Sequence, residues 1–169
     1  MLVVRPERPE DRPAVWQVNA LAFGRPNEAN LVDRLREGPQ PTISLVALLD
    51  GQLVGHIFFS PVSVESEGGT FPGLGLAPMA VHPEYQRRGI GSELVRQGLQ
   101  TCARGGHPVV VVLGHPAFYP RFGFLPASRK GLHCEYAVPD EAFMVAELSP
   151  GALQGRTGVV KYLPEFSEV

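Results

Sequence analysis

The stretch AVHPEYQRRGIGSELVRQGLQ, residues 80–100, sets Arg87, Arg88, Gly89 and Gly91 directly before an amphipathic run. A helix start leaves its first backbone N–H groups without carbonyl partners and carries the positive end of the helix dipole. Glycines let that backbone bend and let a ligand come close to it. Arginines add fixed positive charge and forked donors. The segment Gln86, Arg87, Arg88, Gly89, Ile90, Gly91 and Ser92 therefore has the chemistry of a phosphate or diphosphate cradle. A tight turn with a solvated charge pair is the plain alternative.

The commonest phosphate patterns do not fit. No Gly-Lys pair occurs, which removes G-x-x-x-x-G-K-[ST], and Leu94 stands where the third glycine of G-x-G-x-x-G would follow Gly89 and Gly91. What fits is Q-x-x-G-x-G, Gln86 to Gly91, followed downstream by FYPRFGF, Phe118 to Phe124. With both motifs in this order, the sequence resembles the GNAT superfamily, the GCN5-related N-acetyltransferases. The phrases GHIFFSPV, LGLAPMAVHPEYQRRGIG, VLGHPAFYPRFGF and EAFMVAELSPGAL make it similar to the bacterial YhbS-like group.

That resemblance implies direct transfer of an acetyl group from acetyl coenzyme A, as co-substrate, to an amine of a small molecule or protein. It implies that Gln86–Ser92 hold the diphosphate. It also implies that the backbone of Met79, Ala80 and Val81 pairs with the pantetheine arm, beside a sheet splayed near Pro78. One N–H there would polarise the acetyl carbonyl, as preorganised donors do for a developing oxyanion. By the same resemblance Tyr119 is the general acid: a phenol near pKa ~10 can protonate a thiolate whose own pKa is ~8.5. Many members carry an asparagine seven residues before that tyrosine. Here Val112 takes the place, and the short LGHPAF segment allows only about one helical turn around Tyr119. An amine of pKa near ~10 must also lose a proton. His56, Glu65, Glu67, His82 and His115 are all open for that task, and no motif marks one.

These residues need elements to position them. Leu2 to Arg5 reads as a strand, followed by a helix from about Asp11 with Pro13 in its first turn and Val15, Val18, Leu21 and Ala22 on one stripe. NEANLVDRLREG reads as a second helix, capped by Asn27, closed at Gly38, with Leu31, Val32 and Leu35 inward. Two apolar runs meet at Asp50-Gly51, a hairpin signal, and SVESEGGT supplies a further turn. Leu74 to Val81 is a strand that Pro78, having no N–H to donate, should interrupt with a bulge or break. From Ser92 to Arg104 the period turns helical, with Leu94, Val95, Gly98, Leu99, Cys102 and Ala103 forming the apolar stripe. Pro108 to Leu113, a β-branched run without alternation, suits a strand covered on both faces, as in parallel pairing. CEYAVP, AFMVAEL and GVVKY are short strands of the last third.

The expected architecture is α/β (α+β): one transferase domain over residues 1–169, with a central mixed, mostly antiparallel sheet splayed near its middle and flanked by helices. Formal net charge is −2, so no global field attracts nucleic acid. No apolar run is long enough to span a bilayer. Two cysteines, Cys102 and Cys134, have no near neighbour that would complete a metal clamp, so no metal is expected and a reducing cytoplasm is the simplest home. A non-catalytic module that binds or senses acetyl coenzyme A is the alternative function, since binding needs only residues 86–92. The acceptor is not encoded in any readable motif, and monomer and homodimer are equally compatible with the sequence.

Overall fold

The computed structural model describes residues 1–169. In chain order the elements are β1 (Leu2–Pro6), α1 (Arg12–Phe23), α2 (Asn27–Glu37), β2 (Ile43–Leu49), β3 (Gln52–Ser66), β4 (Gly69–Val81), α3 (Ile90–Arg104), β5 (Val109–Leu113), β6 (Leu125–Pro126), β7 (Leu132–Cys134), β8 (Phe143–Glu147) and β9 (Gly158–Lys161). Short 3-10 turns fill several connections, among them Pro83–Tyr85 and Tyr119–Phe122. The chain divides into two compact units, one of Met1–Ser60, Ala77–Gln100 and Pro164–Val169, the other of Pro61–Leu76 and Thr101–Leu163.

In the first unit β1 pairs antiparallel with β2, and β2 with β3. The β2–β3 turn is Asp50-Gly51, with φ of 50° and 85°. Both residues are left-handed, as a two-residue hairpin requires, and the strands close at Leu49 against Gln52. Helix α1 buries Val15, Val18 and Asn19, while Leu21 is exposed, so the apolar stripe expected there shifts toward a polar residue. Helix α2 buries Leu31, Val32 and Leu35 as expected, with Ala29 and Glu28 beside them. Its cap position is Pro26, and Asn27 is already helical and makes no capping bond; Gly38 closes the helix.

Helix α3 begins two residues earlier than its periodicity suggests, at Ile90, because the glycine loop itself supplies the first turn. Its buried face is Ile90, Leu94, Val95 and Gly98, and it lies on the β3 residues Gly55, Ile57 and Phe59. Gly98 decides how closely the two approach: a Cβ there would stand 2.8 Å from Cζ of Phe59. Ala103, expected on this stripe, is exposed.

In the second unit β5 is parallel to β4 and antiparallel to β8, and β6 adds to β8. Strand β5 is buried from Val109 to Val112, the reason its sequence does not alternate. Strand β9 pairs antiparallel with β3 and parallel with β7. Val62, Val64, Val109, Val111, Leu132, Phe143, Val145 and Val160 form the core of this unit.

Pro78 does not break β4, which runs on to Val81. The Ala77–Pro78 peptide is cis. The interruption falls instead on the neighbouring ladder: β4 pairs with β5 only from Leu74 to Leu76 and Val110 to Val112, and pairing ends two residues before Pro78.

Candidate active site

The loop between β4 and α3 is held by short-range bonds. His82 N–H reaches the Val54 carbonyl at 2.8 Å, fixing the end of β4 on β3. The His82 ring then caps the 3-10 turn, its Nδ1 accepting the Glu84 N–H at 3.1 Å. Tyr85 O–H donates to Gln52 Oε1 at 3.3 Å, and Gln86 Nε2 donates back to the Val81 carbonyl at 3.0 Å. The Gln86 side chain is therefore a strut between strand and loop, a role not legible from the Q-x-x-G-x-G spacing.

Beyond it the backbone turns through two left-handed residues, Arg87 at φ 64° and Gly89 at φ 82°. The Glu93 N–H, bonded to the Gly89 carbonyl at 3.1 Å, is the first in α3 to find a partner. The amides of Gly89, Ile90, Gly91 and Ser92 have no carbonyl of the chain as partner. A Cβ built on Gly89 would meet nothing within 4 Å, so the space over this turn is open. Arg88 stacks on Tyr85 at 5.3 Å, and Arg87 is exposed beside it. Open amides at the positive end of a fifteen-residue helix, flanked by two guanidinium groups, give this turn the chemistry to receive an anion. Met79 and Val81 are half-buried and Ala80 is buried on the strand that leads into this loop.

In the second unit Tyr119 opens a four-residue 3-10 turn, the single turn that the LGHPAF segment allows. Its ring is clamped edge-on by Phe118 at 5.0 Å and Phe124 at 5.6 Å. It also lies close to Gly114, where a Cβ would run into the ring. No group of the chain hydrogen-bonds its hydroxyl. Burial pushes the phenol up to about 12. Phe118 and Phe122 pack on each other at 5.1 Å.

Of the five groups left open as proton acceptors, the structure removes His56. It is fully buried, and both ring nitrogens are taken. Asn19 Nδ2 donates to the Val15 carbonyl at 3.0 Å and to His56 Nδ1 at 3.0 Å. Nδ1 is thus the acceptor, and the proton sits on Nε2, 2.9 Å from Ser44 Oγ. Ser44 donates to Glu7 Oε1 at 2.6 Å, and the other Glu7 oxygen meets Arg36. Desolvation, then the charge of Arg36, lowers His56 to about 3. His82 spends its Nδ1 on the turn, while Glu65, Glu67 and His115 are exposed.

A family model described as an acetyltransferase (GNAT) domain matches residues 3–127, a span that takes in the glycine loop and the tyrosine turn. The chain belongs to the GNAT acetyltransferase family. An uncharacterized N-acetyltransferase, YhbS of Escherichia coli, is 39% identical over 167 residues, covering 98% of this chain and 99% of that protein. The crystal structure of E. coli YhbS in complex with CoA superposes with a TM-score of 0.91 at 38% identity, covering 98% of this chain and 92% of that one. A GNAT acetyltransferase from Brucella melitensis in complex with acetyl-CoA gives 0.80 at 34% identity, with 98% of both chains covered. The GNAT fold, with its open, mostly antiparallel sheet flanked by helices, is therefore the fold of this chain.

The sequence places Gly98 on the apolar stripe of α3 but not its reason, and it gives Gly114 no role. Each is where a ring lies on backbone: Phe59 on Gly98, Tyr119 on Gly114. Only an isolated glycine inside an otherwise apolar strand or helix hints at such a close approach.

Proposed function

We propose that residues 1–169 act as one acetyl-CoA-dependent N-acetyltransferase domain, moving an acetyl group directly to an amine of a small molecule or protein. The observation that carries this reading is the row of unpaired amides at Gly89, Ile90, Gly91 and Ser92, opening on free space at the start of α3. Those amides and the guanidinium groups of Arg87 and Arg88 hold the diphosphate, with Gln86 keeping the loop braced. The backbone of Met79, Ala80 and Val81 takes the pantetheine arm, because β4 beyond Leu76 has no ladder partner on β5.

Tyr119 is the acid. A phenol held near 12 keeps its proton throughout the working range, so it meets the departing sulfur as a hydrogen-bond donor with no competing partner in the chain. The thioester supplies the activated acyl carbon. The amine's proton leaves by a route that does not include His56. A reducing cytoplasm suits the free thiols Cys102 and Cys134.

The test is release of free thiol from acetyl-CoA across a panel of amines, polyamines, aminoglycosides and peptides. At least one class should raise release well above the rate without acceptor, and the Tyr119→Phe variant should lose most of that increment. Saturable coenzyme binding with no acceptor-dependent release from any class would make the chain a binding module instead.

A further inference from the structure

Apart from the glycine loop, the second unit carries an open cleft of about 590 Å³, lined by Arg129, Lys130, Glu147, Gln154, Arg156 and Thr157. Its two walls are loops fastened to each other. The Gly158 N–H donates to the Gly131 carbonyl at 3.0 Å, and Gly131 itself sits at φ +77°. A Cβ on Gly131 would stand 2.5 Å from Cγ2 of Thr157, so glycine is what lets the walls approach. Glu147 crosses the base: one oxygen takes Lys130 Nζ at 3.0 Å, and the other takes the Leu153 N–H at 2.9 Å. These bonds hold its carboxyl below the usual carboxylate range, so the base stays ionised and stays engaged.

Three cations against one carboxylate leave a surplus of two positive charges in a concave wall. Glu147 is already satisfied by Lys130 and the Leu153 amide. Arg129 is exposed and pairs with no group of the chain. Arg156 lies over the Phe71 ring at 4.8 Å, and its guanidinium N–H groups donate to no acceptor of the chain. Concave walls of one sign concentrate the field and raise the local anion concentration.

We propose that this cleft binds a phosphate monoester of a small molecule, through Arg129, Arg156, Lys130 and the Thr157 hydroxyl. A phosphate monoester carries about −1.5 to −2 charge at neutral pH, which matches the surplus, and has oxygens enough for two guanidinium forks. The cleft shares no residue with the glycine loop and does not depend on the coenzyme reading.

Residue-resolved amide NMR with inorganic phosphate as probe distinguishes the two sites. Chloride at matched ionic strength serves as the control. Saturable shifts at Gly131, Gly155 and Thr157, absent with chloride, are expected, and Arg129→Ala with Arg156→Ala should weaken them about tenfold or more. The variants should keep the native spectrum elsewhere, because Arg129 is unpaired and both side chains are exposed. Shifts confined to Gly89–Ser92 would overturn the proposal. So would cleft shifts that fail to saturate, that chloride reproduces, or that survive loss of both arginines.

Discussion

Tyr119 combines a ring held on three sides with a hydroxyl that nothing in the chain holds. Those two facts separate its structural and chemical contributions. Removing an unpaired hydroxyl from a low-dielectric site costs little, so Tyr119→Phe should unfold within about 1 kcal/mol of wild type by denaturant titration. Loss of a positioned proton donor typically slows turnover by about 10²-fold or more, so acceptor-dependent thiol release should fall on that scale. A variant equally active across the pH range would remove Tyr119 from the chemistry. Gly114→Ala reaches the same tyrosine from behind. It adds a methyl where the ring already lies, so it should displace the ring and lower activity although the hydroxyl is retained, as read by turnover beside a near-native circular dichroism spectrum. The motif containing Tyr119 was readable as a string; Gly114 was not, because its role exists only once the turn folds back on the end of β5.

At the scale of elements, α3 sets the position of the glycine loop, and Gly98 sets the position of α3 on β3. Gly98→Val should push the helix off Phe59 and destabilise the protein by about 1–3 kcal/mol, the usual cost of overpacking, seen as a lower denaturant midpoint. Coenzyme affinity should fall with it, since the amides at the helix start move with the helix. Much of this element level was legible. The Asp50-Gly51 turn, the buried run of β5 and the α2 face of Leu31, Val32 and Leu35 follow from backbone and burial rules that act within a few residues. What was misread depended on partners distant in sequence. Leu21 looked like core and is exposed, because Asn19 faces inward to reach His56 on a strand 37 residues away. At Pro78 a bulge or break was expected, beside a splayed sheet: β4 itself runs on unbroken to Val81, and the splay is seen where the β5 pairing ends at Leu76.

For the molecule as a whole, the buried chain Asn19–His56–Ser44–Glu7–Arg36 ties α1, β3, β2, the end of β1 and α2 together. His56 must be neutral in the fold but takes up a proton near pH ~6.5 when unfolded. Its folded value lies at about 3. The folded state therefore has its full stability above pH ~6.5 and loses it as pH falls toward 3, by up to about 1.4 kcal/mol for each pH unit. Urea midpoints measured from pH 7 to 4 should fall accordingly, and His56→Gln should flatten that slope even though it lowers stability throughout. A wild-type midpoint that is level over this range would mean that His56 is not held neutral.

Coenzyme binding turns on the bend between Gln86 and Ser92, and calorimetric titration of coenzyme A into wild type and Gly89→Glu measures that bend's part in it. A carboxylate at that position adds bulk and negative charge in the space assigned to the diphosphate, on a residue whose φ of 82° already disfavours any side chain. Saturable binding to wild type and none detectable to a folded Gly89→Glu protein is the predicted result; equal affinity in the two would contradict the loop's role.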